Sequence, residues 1–404
     1  MKFGLFYLPT YLPGLRDVKT HYRNIIEQVE FADRIGIDYA WIVEHHFVRH
    51  GGIFPANYAF LSYLAARTKR IRLGTGATVL PLNDPVRVAE QAATLDQLSQ
   101  GRFDFGVGRG FIRDEFDIFG VDMKESRERV EEGVELIKQV WAGPTMEFKS
   151  KFRPPLGAGL PLLPPIYQKP HPPIWVACLM SPESFEWTAQ QGYNLLYVAY
   201  HVDHPVAAER IGWYRDALRR HGRAGEDHEV CCVYHAHFLD SEDDDRLRET
   251  VHKPMSEYAA AGIEAARKPP DPTAYKGYER REAGQRDFGF NAYFPGRVVM
   301  GGPRQAIERI HALRDIGITQ IGLLVDFGSR KIRSWARCAS SLSESCPRFA
   351  TSEAISGGTG DRLRRKSGLG AESDQAGAGT IMDCPSIACE FCGSVKIFGD
   401  LSRS

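Results

Sequence analysis

No run of the chain approaches the roughly 18 consecutive apolar residues that a membrane span requires, and the N-terminus lacks the long apolar core of a signal peptide. Charge of one sign is not in excess either. Lys+Arg and Asp+Glu stand at 51 each, so the balance points neither to nucleic acid nor to an anionic membrane. Cysteine is scarce where the chain is regular. Only Cys178, Cys231 and Cys232 precede residue 330, which argues against a disulfide framework; with neither a span nor a signal peptide, a cytoplasmic location is the default expectation. His45 and His46 have no third and fourth ligand at a recognisable spacing, so no metal site is expected. A dinucleotide fingerprint is missing too: in Gly106-Val107-Gly108-Arg109-Gly110 the third glycine comes one position early.

What is present is a regular alternation. The 404 residues are 43 % hydrophobic and 25 % charged, which is ordinary for a globular protein. Short apolar runs over 2–8, 39–43, 71–80, 102–107, 174–178, 194–198, 230–239 and 319–327 predict strands. Between them, helical spacing of apolar residues predicts helices over 21–35, 55–68, 84–101, 124–141, 181–190, 204–220, 243–261 and 303–316. Asp84-Pro85 and Ser181-Pro182 each read as an N-cap followed by proline at the first helical position. Residues 143–173 are crowded with proline and predict an irregular excursion. Eight strands alternating with helices make the fold class α/β, a (β/α)8 TIM barrel with insertions over residues 1–327. The period then stops. Residues 328–404 are rich in Ser and Gly and read as an irregular C-terminal tail, disordered or frame-shifted.

The second strand ends unusually. Tyr39-Ala40-Trp41-Ile42-Val43 runs into Glu44, His45 and His46 instead of a Gly, Asn or Asp turn. Titratable groups belong at the carboxyl edge of a parallel barrel, where chemistry is done. Consecutive side chains on a strand face opposite ways, so one of the two histidines faces the mouth. The residues alone do not choose between them, nor do they exclude a histidine pair satisfied within the core.

Six segments in register resemble the bacterial luciferase-like flavin monooxygenases, especially the luciferase α subunit. They are residues 41–47, 74–81, 84–91, 95–103, 106–110 and 181–184. The resemblance covers residues 1–327 and leaves the tail outside. It implies a TIM barrel that binds reduced flavin at its carboxyl face, with His45 beside the flavin ring, able to take or hold a proton there, and Glu44 orienting the strand end. It implies a non-proline cis peptide at Gly76-Ala77. It places Gly108 and Arg109 in the turn that approaches the cofactor, where the α subunit carries a reactive cysteine and this chain has Gly108. The arginine fork matches a phosphate, although a surface arginine in a flexible turn would read the same. Ser181 and Ser184 open a helix whose N-terminus could hold the phosphate, or Ser181 could simply cap it. The polar stretch 265–296 corresponds to a mobile lid.

These implications lead to a two-component monooxygenase. A separate flavin reductase supplies reduced FMN, and the barrel uses it with O₂ on a small organic substrate, as a homodimer or heterodimer. Two readings compete: hydride transfer with a reduced deazaflavin, and a non-catalytic flavin-binding or scaffolding subunit. The chemical identity of the substrate is not legible.

Overall fold

Short runs of β-branched and aromatic residues form the strands, and each helix lays its apolar stripe over them. The structure, a computed structural model, describes residues 1–327 except 15–16, 145–147, 156, 158, 160, 224–227, 276–289 and 295. The expectations for the tail 328–404, and for residues 276–289 and 295 of the lid, lie outside the described residues. The order is β1 (Lys2–Tyr7), α1 (Val18–Ile35), β2 (Tyr39–Ile42), α2 (Asn57–Arg67), β3 (Arg72–Thr75), β4 (Thr78–Val79) and α3 (Pro85–Ser99). Then come β5 (Phe103–Gly108), α4 (Arg113–Phe119), α5 (Ser126–Ala142), β6 (Ile174–Cys178), α6 (Pro182–Gln191), β7 (Asn194–Tyr197) and α7 (His204–Arg220). The last described elements are β8 (Val230–Phe238), α8 (Asp244–Ala265), a single turn Phe290–Tyr293, β9 (Val298–Gly301), the helix Pro303–Asp315 and β10 (Gln320–Leu324). Among the described residues no helix is long and apolar enough to cross a membrane.

The sheet is parallel throughout and closes on itself. β1 lies between β10 and β2, and the path continues through β3, β5, β6 and β7 to β8. Closure is made by β8 against β10, with Cys231 opposite Gln320 and His235 opposite Leu324. This is the (β/α)8 TIM barrel the alternation predicts. β8 is long because it serves two partners. Its first half closes the barrel, and its end pairs with β9 from His235–Val298 to Phe238–Gly301.

Three local expectations need correction. The strand over 71–80 is two strands, β3 and β4, and between them lies the cis peptide at Gly76-Ala77 that the resemblance implies. β9 escaped notice because four apolar residues between polar loops carry too little pattern. α4 escaped because Arg-Asp-Glu-Phe-Asp-Ile-Phe reads as charged loop; its burial is decided by what covers it.

Aromatic side chains fill the barrel interior and confine open space to its carboxyl end. Trp41 and Trp175 pack edge to face with ring centroids 5.1 Å apart. The Trp41 indole N–H donates to Gln320 Oε1 at 3.1 Å, so the buried donor is satisfied. Gly74 makes room for that indole: a Cβ there would stand 2.1 Å from the Trp41 ring.

Candidate active site

The end of β2 is built from reciprocal contacts among polar side chains. Glu44 is buried, and Oε2 accepts the Val79 N–H at 2.9 Å. Its Oε1 accepts from Asn83 Nδ2 at 2.8 Å and lies 2.9 Å from His46 Nε2. Glu44 thus fastens the end of β2 to β4 and the turn after it. His46 leans away from the cavity onto Phe119, with ring centroids 4.8 Å apart.

His45 lines the cavity at the barrel mouth. Its Nδ1 is 3.0 Å from Oε1 of Glu115, and the same oxygen accepts the His46 backbone N–H at 2.7 Å. Glu115 is fully buried on α4. A carboxylate can only accept, so the proton of the His45–Glu115 contact belongs on Nδ1. That leaves Nε2 as the acceptor available to a ligand. Glu115 was not legible as a site residue, because the only local signal is one acid among several.

Beside His45 the cavity floor carries almost no side chain. Gly76 and Ala77 join β3 to β4, Gly108 ends β5, and Ala177 stands on β6; all four line the cavity. A Cβ added at Gly108 would lie 3.3 Å from the Ala177 methyl and 3.5 Å from that of Ala77. Three strands therefore meet the cavity here with small side chains or none. Cys178 lines the same wall, and burial pushes its thiol up to about 12, so it presents a neutral S–H.

At one end the floor meets a polar cradle at the start of α6. Ser181 sits at the N-cap position, yet its hydroxyl makes no capping hydrogen bond. It accepts instead from Arg127 Nη2 at 3.3 Å, while Nη1 of the same guanidinium donates to Ser184 Oγ at 3.5 Å. Both serines line the cavity. Arg109 also lines it. Its Nη2 donates to Ser126 Oγ at 3.0 Å and to the Ala274 carbonyl at 2.8 Å, and the guanidinium lies 4.3 Å from the Tyr275 ring centroid. Arg109 is thus held by the segment at 274–275, and Arg127 reaches both serines. Arg127 was missed because Ser-Arg-Glu-Arg at the start of α5 reads as a solvated helix face. Among the described residues no group of three or more His, Cys, Asp or Glu is placed to hold a metal.

The family model described as luciferase-like monooxygenase matches residues 1–320. The oxygenase component of a flavin-dependent trigonelline monooxygenase from Acinetobacter baylyi is 27 % identical over 359 residues, covering 87 % of this chain and 97 % of that protein. The alkanal monooxygenase alpha chain of Photorhabdus luminescens is 29 % identical over 293 residues, covering 71 % of this chain and 77 % of that one. The crystal structure of the monooxygenase RslO1 from Streptomyces bottropensis superposes with a TM-score of 0.69 at 29 % identity, covering 87 % of this chain and all of that one. A chain with this barrel, this strand end and these relatives belongs to the luciferase-like monooxygenase family and is an oxidoreductase.

Proposed function

We propose that the chain is the oxygenase component of a two-component monooxygenase, which uses reduced FMN and O₂ to oxidise a small organic substrate. The observation that carries this reading is one cavity lined by His45, by the small residues Gly76, Ala77, Gly108 and Ala177, and by Ser181 and Ser184, whose hydroxyls accept from Arg127. A planar ring system fits a surface made by Gly76, Ala77, Gly108 and Ala177. A phosphate fits serine hydroxyls and a guanidinium at a helix N-terminus. Reduced FMN, when bound, supplies the electrons that activate O₂.

The chain's own residues then have separable tasks. His45 Nε2 holds or moves a proton on the side where substrate and O₂ meet. Glu115 sets its tautomer, and Glu44 fastens the strand that carries it. Arg127, Ser181 and Ser184 anchor the phosphate, with Arg109 beside them. Apolar wall residues exclude water that would divert reduced oxygen to hydrogen peroxide. Delivery by a separate reductase is supported by the relative described as an oxygenase component and by the missing dinucleotide fingerprint.

The test is anaerobic titration of the purified protein with reduced FMN and, separately, with a reduced deazaflavin, followed by admission of air. Tight binding of reduced FMN and rapid oxygen uptake are expected. Binding of the deazaflavin alone, with no oxygen uptake, would replace the monooxygenase reading with hydride transfer.

A further inference from the structure

The cavity is lined by a further imidazole, His50, to which the proposed chemistry gives no task. His50 stands in the loop after β2, and a short antiparallel bridge ties that loop to the one after β1. The Tyr11 N–H donates to the Arg49 carbonyl at 2.8 Å, and the Gly51 N–H to the Pro9 carbonyl at 2.9 Å. Gly51, at φ +82°, lets the loop pass close to His45, since a Cβ there would stand 2.6 Å from His45 Cδ2. The His50 ring is held on three sides. Tyr258 packs edge to face against it with centroids 4.7 Å apart, and Nδ1 lies 3.2 Å from Thr10 Oγ1. Gly262 of α8 passes over the ring without a side chain, where a Cβ would lie 3.5, 3.6 and 3.7 Å from Cε1, Nε2 and Nδ1.

The Thr10 contact fixes the tautomer. Thr10 is buried, and among the described residues its hydroxyl has no hydrogen-bond partner other than His50 Nδ1. Were the ring proton on Nδ1, it would donate to Oγ1 and leave the hydroxyl proton with no acceptor. Thr10 therefore donates to Nδ1, and the ring proton sits on Nε2. Burial pushes the His50 ring down to about 3, so it is neutral and carries that one proton. The residue is only 6 % exposed, and among the described residues Nε2 has no hydrogen-bond partner. A donor this buried is ordinarily satisfied, so an unpartnered one on a cavity wall points to a ligand. His45, held by Glu115, offers the opposite, an acceptor at Nε2.

We infer that His50 is a substrate-contacting residue, which donates from Nε2 to an oxygen acceptor of the organic substrate, such as a carbonyl, and so orients it in the cavity. This rests on the flavin reading, which gives the small residues to the ring and the serine cradle to the phosphate. Near His50 the α8 wall presents Ala259, Ile263 and Ala266, none of which has a side-chain donor, so the imidazole supplies the directional contact there. A histidine that served only to fill space against Tyr258 and Gly262 would have no use for the Thr10 hydroxyl, which sets the donor and not the packing.

The experiment titrates the full-length protein anaerobically with 2-decanone and with 2-methyl-1-decene, which has CH₂ in place of the carbonyl oxygen and otherwise the same shape. Wild type, His50→Phe, His50→Gln and Thr10→Val are compared, with reduced FMN titrated into each as a separate arm. Losing one neutral hydrogen bond should weaken the ketone about fivefold in His50→Phe, with the alkene and reduced FMN unchanged within about twofold. His50→Gln, whose amide can donate from nearly the same place, should recover most of the ketone's affinity. Thr10→Val removes the hydroxyl without changing the shape, so it should weaken the ketone selectively, and it carries the test if His50→Phe fails to fold. Ketone and alkene weakened together would make His50 a packing residue and overturn the inference. Wild type that does not bind the ketone, or ketone binding indifferent to the substitutions, would overturn it as well. Wild type that shows the selective His50 dependence but fails to bind reduced FMN would sink the cofactor reading and leave the role of His50 standing.

Discussion

The His45 imidazole and the Glu115 carboxylate meet at 3.0 Å although 70 positions separate them in the chain. The contact joins the end of β2 to a short helix after β5, and Glu115 also holds the backbone N–H of His46. One buried acid therefore sets both the position and the tautomer of the histidine at the cavity wall.

Glu115→Gln is expected to keep the fold and lose that control. An amide can accept from the His46 N–H, but it can also donate to Nδ1 and invert the His45 tautomer. Product formation should fall by about 10²-fold, with reduced-FMN affinity nearly unchanged, because the proton is managed in the reaction and not in binding. His45→Ala should fall in the same range, with oxygen uptake continuing and hydrogen peroxide replacing product. A positioning role predicts one further sign: the pH–rate profile of Glu115→Gln should shift. An unshifted profile with full product yield per O₂ would leave Glu115 as a packing residue only.

Arg127 is expected to matter more to FMN than Arg109. It reaches the hydroxyls of Ser181 and Ser184, and Arg109 is shared with Ser126 and the Ala274 carbonyl. Removing a charge-assisted contact to phosphate costs about 1.5–3 kcal/mol, so Arg127→Ala should weaken FMN binding by about ten- to a hundredfold. Riboflavin, which lacks the phosphate, is the control and should be little affected. Equal losses for FMN and riboflavin would show that Arg127 does not hold the phosphate.

Stability should fall as the solution is acidified from near neutrality. His50 and His235 are pushed by burial from an ordinary 6.5 to about 3. Above pH 6.5 neither state binds these protons and the two histidines are silent. Between 6.5 and about 3 the unfolded chain takes up protons that the folded barrel refuses, so each contributes a loss of about 1.4 kcal/mol per pH unit. Replacing His235 by Phe should remove about half of that joint slope, read from denaturant melts at pH 7, 6 and 5. A slope unchanged by the substitution would mean that His235 is protonated in the folded state.

Much of the fold was legible because its signals are local. Apolar runs of strand length, helical spacing, and Asp84-Pro85 as cap and first turn each report on a few neighbouring residues, and the structure places all three where they were read. The short β9 and the charged α4 were not legible, since each depends on what packs against it. Ser181 shows the limit well. Its position at the start of α6 was readable, but the direction of its hydroxyl was set by Arg127, which lies 54 positions away.

The sequence by itself determined that an acid and two histidines stand at the end of a buried strand, that small residues end the neighbouring strands, and that a parallel barrel surrounds them. These follow from periodicity and from which side chains can be buried at low cost. Tertiary structure alone decided that His46 leans on Phe119, that Glu115 lies against His45 and Arg127 against Ser181 and Ser184, and that three tyrosines gather about His235. The physical reason is range. A pattern along the chain records how one residue meets water, but a hydrogen bond between distant strands and helices exists only after barrel closure has fixed the distance between them.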